Sequence, residues 1–252
     1  MPRLLFAGLS WLLVACAPVG VSVQAGYTQL SIGGDFALAD GTSGTGDAPL
    51  QDVGDAFGLG DDRGSPWLRA QADLGAIVLG VDGFVFEERG TGTLDASFGG
   101  LPASTPVASE LRFGCAKLSA VYDIDLGLVK VAPGLAMDVF DLDFRVQELS
   151  LGNAEVIDEI VGVPLLFVRA EAGVGVLDLV GEIGYLETPR IDRSKGRFLD
   201  AQLLAEVSVL PLLQVVAGYR HLDLDATGDT GSESFGVDLQ VRGWFVGGGL
   251  RF

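Results

Sequence analysis

Between Phe198 and Leu210 the apolar side chains fall on every second position. Leu199, Ala201, Leu203, Ala205, Val207 and Val209 share one parity, and Asp200, Gln202, Glu206 and Ser208 take the other. The pattern recurs along the chain. Leu166, Val168, Ala170, Ala172 and Val174 alternate with Arg169 and Glu171; Leu68, Ala70, Ala72 and Leu74 with Arg69, Gln71 and Asp73; Ala116, Leu118, Ala120 and Tyr122 with Cys115, Lys117 and Ser119. A period of two belongs to a strand with one apolar face, and no segment beyond the N-terminus shows a helical period of useful length. Strands are predicted near 27–39, 66–74, 76–88, 109–124, 128–147, 159–174, 177–188, 198–210, 212–225 and 233–252. Two of them change phase. Apolar parity is odd from Val129 to Val139 and even from Phe140 to Val146, and Gly243 separates odd Val237, Leu239 and Val241 from even Trp244, Val246, Leu250 and Phe252. Each change reads as a bulge or as a strand leaving a membrane.

The connections are unequal. Asp73-Leu74-Gly75 recurs as Asp125-Leu126-Gly127, with looser echoes at Val174–Leu179 and Leu210–Val215, and each marks a tight turn that can join only antiparallel neighbours. Longer polar connections lie between them, at about 40–65, 89–108, 148–158, 189–197 and 226–232. Short turns alternating with long loops are the topology of a transmembrane barrel. The predicted class is therefore all-β: a closed, antiparallel, up-and-down transmembrane β-barrel of about ten strands, with eight as the alternative count. Tyr27, Trp67, Tyr122, Tyr185, Tyr219 and Trp244 sit near strand ends, where interfacial girdles are expected.

Composition adds a constraint. The 252 residues hold 34 Asp+Glu against 16 Lys+Arg, a formal charge of −18, yet are 48% hydrophobic. The mean hydropathy is +0.41, which excludes a disordered acidic chain. With no basic face, nucleic acid is excluded as a partner. One His and two Cys point to no cofactor and no metal site. The N-terminus, with Arg3 before the apolar run Leu4–Val14, has the form of a secretory signal peptide. Val23-Gln24-Ala25 fits the small-residue cleavage rule, giving a signal over 1–25 and one barrel domain over 26–252. Ala15-Cys16-Ala17 fits the same rule, and Leu13-Val14-Ala15-Cys16 resembles a lipobox in which Cys16 would be lipidated. Cys115 is then a lone small buried residue and no disulfide is expected.

Trp244-Phe245-Val246-Gly247-Gly248-Gly249-Leu250-Arg251-Phe252 resembles the terminal strand of bacterial outer-membrane β-barrel proteins. That resemblance implies an outer-membrane location, contact with membrane lipid, and recognition by the barrel assembly machinery through Trp244, Val246, Leu250 and Phe252. Polar parity predicts a lumen charge network of Arg69, Asp73, Lys117, Arg169, Glu171, Glu182, Glu206, Arg220 and Arg242, joined by Lys130, Asp138, Asp178, Asp200 and Asp238. In a narrow barrel such a set forms a plug, and the expected role is structural or surface-interacting without catalysis. A narrow cation-leaning pore is the alternative. A rim hydrolase of the omptin type would draw on His221-Leu222-Asp223 and Asp141-Leu142-Asp143, but here the order is His-x-Asp, the reverse of that family's pattern. A soluble periplasmic β-protein has the same period and is the remaining reading.

Overall fold

The computed structural model of the protein describes residues 20–40, 49–191, 194–230 and 233–252. In chain order its elements are β1 (Gly20–Asp40), β2 (Gln51–Asp52), α1 (Val53–Phe57), β3 (Arg63–Asp73), β4 (Ile77–Thr93), β5 (Pro106–Tyr122), β6 (Ile124–Asp125), β7 (Val129–Glu148), β8 (Ala154–Val174), β9 (Leu177–Ile191), β10 (Ser194–Leu210), β11 (Leu213–Thr230) and β12 (Glu233–Arg251). Apart from the two-residue β2 and β6 and the five-residue α1, these are long strands, each antiparallel to the next long strand in sequence. β12 pairs back onto β1 from Ser22↔Arg251 to Asp40↔Glu233, which closes the sheet. Closure leaves no edge in the bilayer, where an unpaired amide has no water to bond.

The repeated Asp-Leu-Gly makes two equivalent turns. Asp73 accepts the Gly75 N–H at 2.8 Å and Asp125 accepts that of Gly127 at 2.8 Å, while the two glycines take φ of 91° and 94°. The aspartate fixes the turn and glycine tolerates the left-handed backbone. Expected loops at 148–158, 189–197 and 226–232 are shorter in the structure, because β8 begins at Ala154, β9 reaches Ile191, β10 begins at Ser194 and β11 reaches Thr230. At the N-terminus β1 begins at Gly20, ahead of the expected barrel boundary at residue 26.

Neither phase change is a bulge. β7 keeps unbroken register with β5 and β8 through Val139 and Phe140, and β12 keeps register with β1 and β11 through Gly243. Each strand instead exchanges environments partway along. In its lower half β7 turns Leu135, Met137 and Val139 outward; in its upper half Asp141, Asp143 and Arg145 face outward and Phe140, Phe144 and Val146 are buried inside. The outer face changes likewise at Tyr27/Gln29, Val85/Glu87, Tyr185/Glu187, Leu199/Arg197 and Trp244/Arg242. Below that line lies an apolar belt. On β4 it covers Ile77–Val85; nine residues at a rise of about 3.3 Å and a tilt of about 40° span about 23 Å, close to the roughly 25 Å band of outer-membrane barrels.

Tyr27, Tyr185, Tyr219 and Trp244 mark the upper border, and Tyr219 packs edge-on to Trp244 at 4.9 Å. Trp67 does not belong to this girdle. It is buried in the lumen, its ring tilted against Phe245 at 4.7 Å and donating Nε1–H to Asp82 at 2.8 Å. An indole whose N–H finds a carboxylate gains more inside than at the interface.

Candidate functional site

Two register rows face each other across the lumen. On one wall, Gln24, Arg69, Asp82, Lys117 and Asp138 are paired in succession on β1, β3, β4, β5 and β7. On the other, Arg169, Glu182, Gln202 and Arg220 follow one another on β8 to β11. Hydrogen bonds cross between the rows. Glu182 receives Arg69 Nη1 at 3.2 Å, Arg69 Nη2 and Lys117 Nζ at 3.2 Å, and Arg220 bonds Asp82 across the barrel. Asp200, one position above on β10, accepts from Arg220 Nη2 at 3.0 Å and lies 3.1 Å from Lys117 Nζ. These groups are almost fully buried, so every charge depends on its partner. Asp138 is the exception: it is buried and both carboxylate oxygens lack a hydrogen-bond partner among the described residues.

Below the layer, Gln24 Nε2 donates to Glu206 at 3.0 Å and Arg169 Nη2 to Glu171 at 2.8 Å. A cavity of about 60 Å³, lined among others by Gln71, Asp73, Asp123, Lys130 and Glu171, opens at the turn side. Within the layer the free space is about 10 Å³, between Arg69, Asp82, Lys117 and Glu182, barely that of one water.

Above the layer the lumen is aromatic. Arg220 lies 5.1 Å from the Phe84 ring centre and Lys117 5.3 Å from that of Phe167, so the cations are roofed by π faces. Phe113 stacks on Phe140 at 5.4 Å, and Phe140 meets Phe198 edge-on at 5.1 Å. Higher still, Phe144 contacts Phe36, Phe57 and Phe98 at 5.1, 5.2 and 5.9 Å. Phe57 comes from α1, which sits where β3 and β4 part above Trp67↔Phe84. Asp52 caps the helix by accepting the Gly54 and Asp55 N–H groups at 2.8 Å each. Buried Glu88 fastens the returning chain by accepting from Gly60 at 3.1 Å and Asp61 at 2.9 Å. Gly90 and Gly92 leave room for this segment: a Cβ at Gly92 would lie 2.2 Å from the Ala56 carbonyl oxygen.

β8 and β9 also part, above Leu166↔Tyr185, while β8 continues on β7 to Ala154↔Gln147. Pro164, which has no N–H to extend a ladder, stands just above the last pair.

Of the sequence-derived network, Arg69, Lys117, Glu182, Glu206 and Arg220 are buried in the lumen, and Asp73, Arg169 and Glu171 line its lower mouth. Arg242 is not part of it. It is exposed on the outer face just above the belt, because the unbroken register of β12 gives it the same parity as Trp244. Asp238 shares that outward parity, opposite Asp225 and Asp35. Asp82 and Gln24 were missed, although Asp82 alternates with Leu79, Val81 and Val85 and could have been found by parity. Trp244, Val246 and Leu250 face outward on the closing strand, and Phe252 ends it through two backbone bonds with Val21 at 3.1 and 2.8 Å. Cys115 is a free, buried thiol that accepts from Arg220 Nη2 at 3.6 Å. Cys16 lies outside the described residues.

The rim acids are likewise on the outer wall. His221 stands opposite Ala201 and Arg242; Asp223 pairs with Arg197 at 3.4 Å and Asp225 with Lys195 at 3.4 Å. Asp141 and Asp143 project outward from β7, and Glu87–Arg112 at 3.8 Å and Arg89–Glu110 at 2.5 Å continue a collar of mixed sign. Among the described residues no cluster of three or more His, Cys, Asp or Glu could hold a metal ion.

With that geometry in view, the chain is similar to the outer membrane protease OmpT of Escherichia coli: TM-score 0.57, 10% identity, over 92% of this chain and 96% of that one. It has the fold of an outer-membrane β-barrel. Weaker likenesses are to the translocator domain of autotransporter NalP of Neisseria meningitidis (TM-score 0.42, 14% identity, 96% and 91% covered) and to Ail of Yersinia pestis (0.38, 12%, 93% and 99%). No family model matches the sequence, and no curated protein does.

Proposed function

We propose that this protein is a non-conducting, non-catalytic barrel of the bacterial outer membrane, serving the envelope as a rigid scaffold that presents a charged collar at the surface. The filled lumen carries this reading. A hydrated ion would have to separate the Arg69–Glu182–Lys117 and Asp82–Arg220–Asp200 bonds and then pass the packed phenylalanines around Phe140 and Phe144. Breaking buried pairs on that route costs several kcal/mol each, an unfavourable path for a diffusion pore.

The outer placement of His221, Asp223, Asp141 and Asp143 supports the absence of catalysis. A hydrolytic pair must share a cleft that holds substrate; behind Asp141 and Asp143 the inner wall carries Phe140 and Phe144, and behind His221 it carries Leu222 and an Arg220 already bonded to Asp82 and Asp200. The exposed face of Trp244, Val246 and Leu250 with terminal Phe252 fits recognition by the barrel assembly machinery.

Purified protein in planar bilayers tests the reading. It should show no steady conductance, and a stable open channel would replace it with the pore. Fractionation with unboiled and boiled electrophoresis should find a heat-shifted band in the outer membrane. Recovery from the soluble periplasm without that shift would reject the location.

A further inference from the structure

The leader of this chain can be placed by the barrel seam. Residues Gly20–Ala25 are strand on both sides: they pair with Leu68–Asp73 of β3, and Ser22–Ala25 pair with Gly248–Arg251 of β12. Val21 and Phe252 exchange two backbone hydrogen bonds at the end of the seam. Parity also continues. Val21, Val23 and Ala25 face outward in phase with Tyr27, whereas Gln24 is 1% exposed in the lumen, bonded to Glu206 at 3.0 Å and to Gln214 at 3.4 Å.

β12 is shaped for these residues. A Cβ at Gly247 would lie 2.4 Å from the Ala25 carbonyl oxygen, and one at Gly249 would lie 2.4 Å from that of Val23 and 2.6 Å from Gln24 Cγ. Removing the chain up to Ala25 would strip one neighbour from the lower ends of both β3 and β12, within the apolar belt. It would also leave Glu206 and Gln214 unpartnered inside. A sheet in lipid cannot leave such an edge open.

We infer that Gly20–Ala25 is retained in the mature protein as the first turn-side segment of the barrel, so that export processing occurs at or before Ala17 and not after Ala25. The small residues of Ala15-Cys16-Ala17 supply a cut that leaves the whole of β1 intact.

The test is the N-terminus of protein matured from the full precursor in a Gram-negative host, read by intact mass and terminal sequencing of the membrane fraction. A start at Pro18, or an acylated Cys16, is the expected result. A start at Gly26, or anywhere beyond Pro18, overturns the inference. A second arm refolds two chains in detergent, one beginning at Pro18 and one at Gly26. The first should give the compact heat-shifted band and the second should lose it; equal folding of the Gly26 chain would also overturn the inference.

Discussion

The sharpest test of the packed lumen is Glu182→Gln. Glu182 is 4% exposed at its side chain and holds Arg69 and Lys117 together, with Arg169 Nε at 4.0 Å. The amide keeps the size and removes the charge. Lys117 retains Asp200 at 3.1 Å, but Arg69 keeps only neutral amide acceptors, such as Gln202 Oε1 at 3.5 Å, so a buried guanidinium loses the carboxylate it was paired with. Loss of one partner from a buried pair costs about 3–5 kcal/mol. Urea unfolding in phospholipid vesicles, followed by tryptophan fluorescence, should show a loss of that size. Two variants bracket it. Glu110→Gln breaks an exposed collar pair and should leave the curve unchanged within error, since such pairs are screened and mobile. Asp138→Asn removes a buried carboxylate with no bonding partner, so stability should hold or rise. If Glu182→Gln behaves like Glu110→Gln, the layer is hydrated and the reasoning from a dry lumen fails.

Other perturbations probe other layers. Phe144→Ala removes the ring shared by Phe36, Phe57 and Phe98 and should cost about 3–5 kcal/mol in the same unfolding assay; a change under about 1 kcal/mol would mean the aromatic cap is loose. Gly92→Val drives a side chain into the Ala56 carbonyl and should unseat α1 at a cost of about 1–3 kcal/mol, seen as faster hydrogen exchange at Gly58 and Leu59; unchanged protection would contradict the seat. In the collar, burial first and then the carboxylates of Asp225, Asp223 and Asp35 raise the pKa of Asp238. Its ionised form is therefore disfavoured in the folded state, a penalty present above the raised pKa and relieved as pH falls through it. Asp238→Asn should raise the melting temperature at neutral pH, with a gain that shrinks on acidification; a gain independent of pH would point away from charge.

The strand count, the antiparallel order and the outward parity of the main lower-half stripes were legible in the sequence, because alternation and turn chemistry are local. The Asp-Leu-Gly turns and the Leu199–Val209 stripe each act within a few residues, and their placement follows from them alone. The charge network was read from the same alternation, and the structure places Arg69, Lys117, Glu182 and Arg220 in the lumen. Arg242 lies outside instead, because the apolar parity was taken to face lipid on both sides of Gly243, whereas the outward parity runs unbroken through it and only the environment changes.

What the tertiary structure decided depends on groups far apart in sequence. Period two has the same form in lipid, in water or inside a barrel, so only the closed register could show that β7 and β12 pass from membrane into water with the same parity outward throughout. Only closure could bring Arg69 to Glu182 and Asp82 to Arg220, turn Trp67 inward onto Asp82, and gather buried phenylalanines from eight segments into one cluster. The start of β1 was decided in the same way. Gly20–Ala25 fits a leader by its small residues, but its place is set by β3 and β12, whose backbone groups have no other partner in the bilayer.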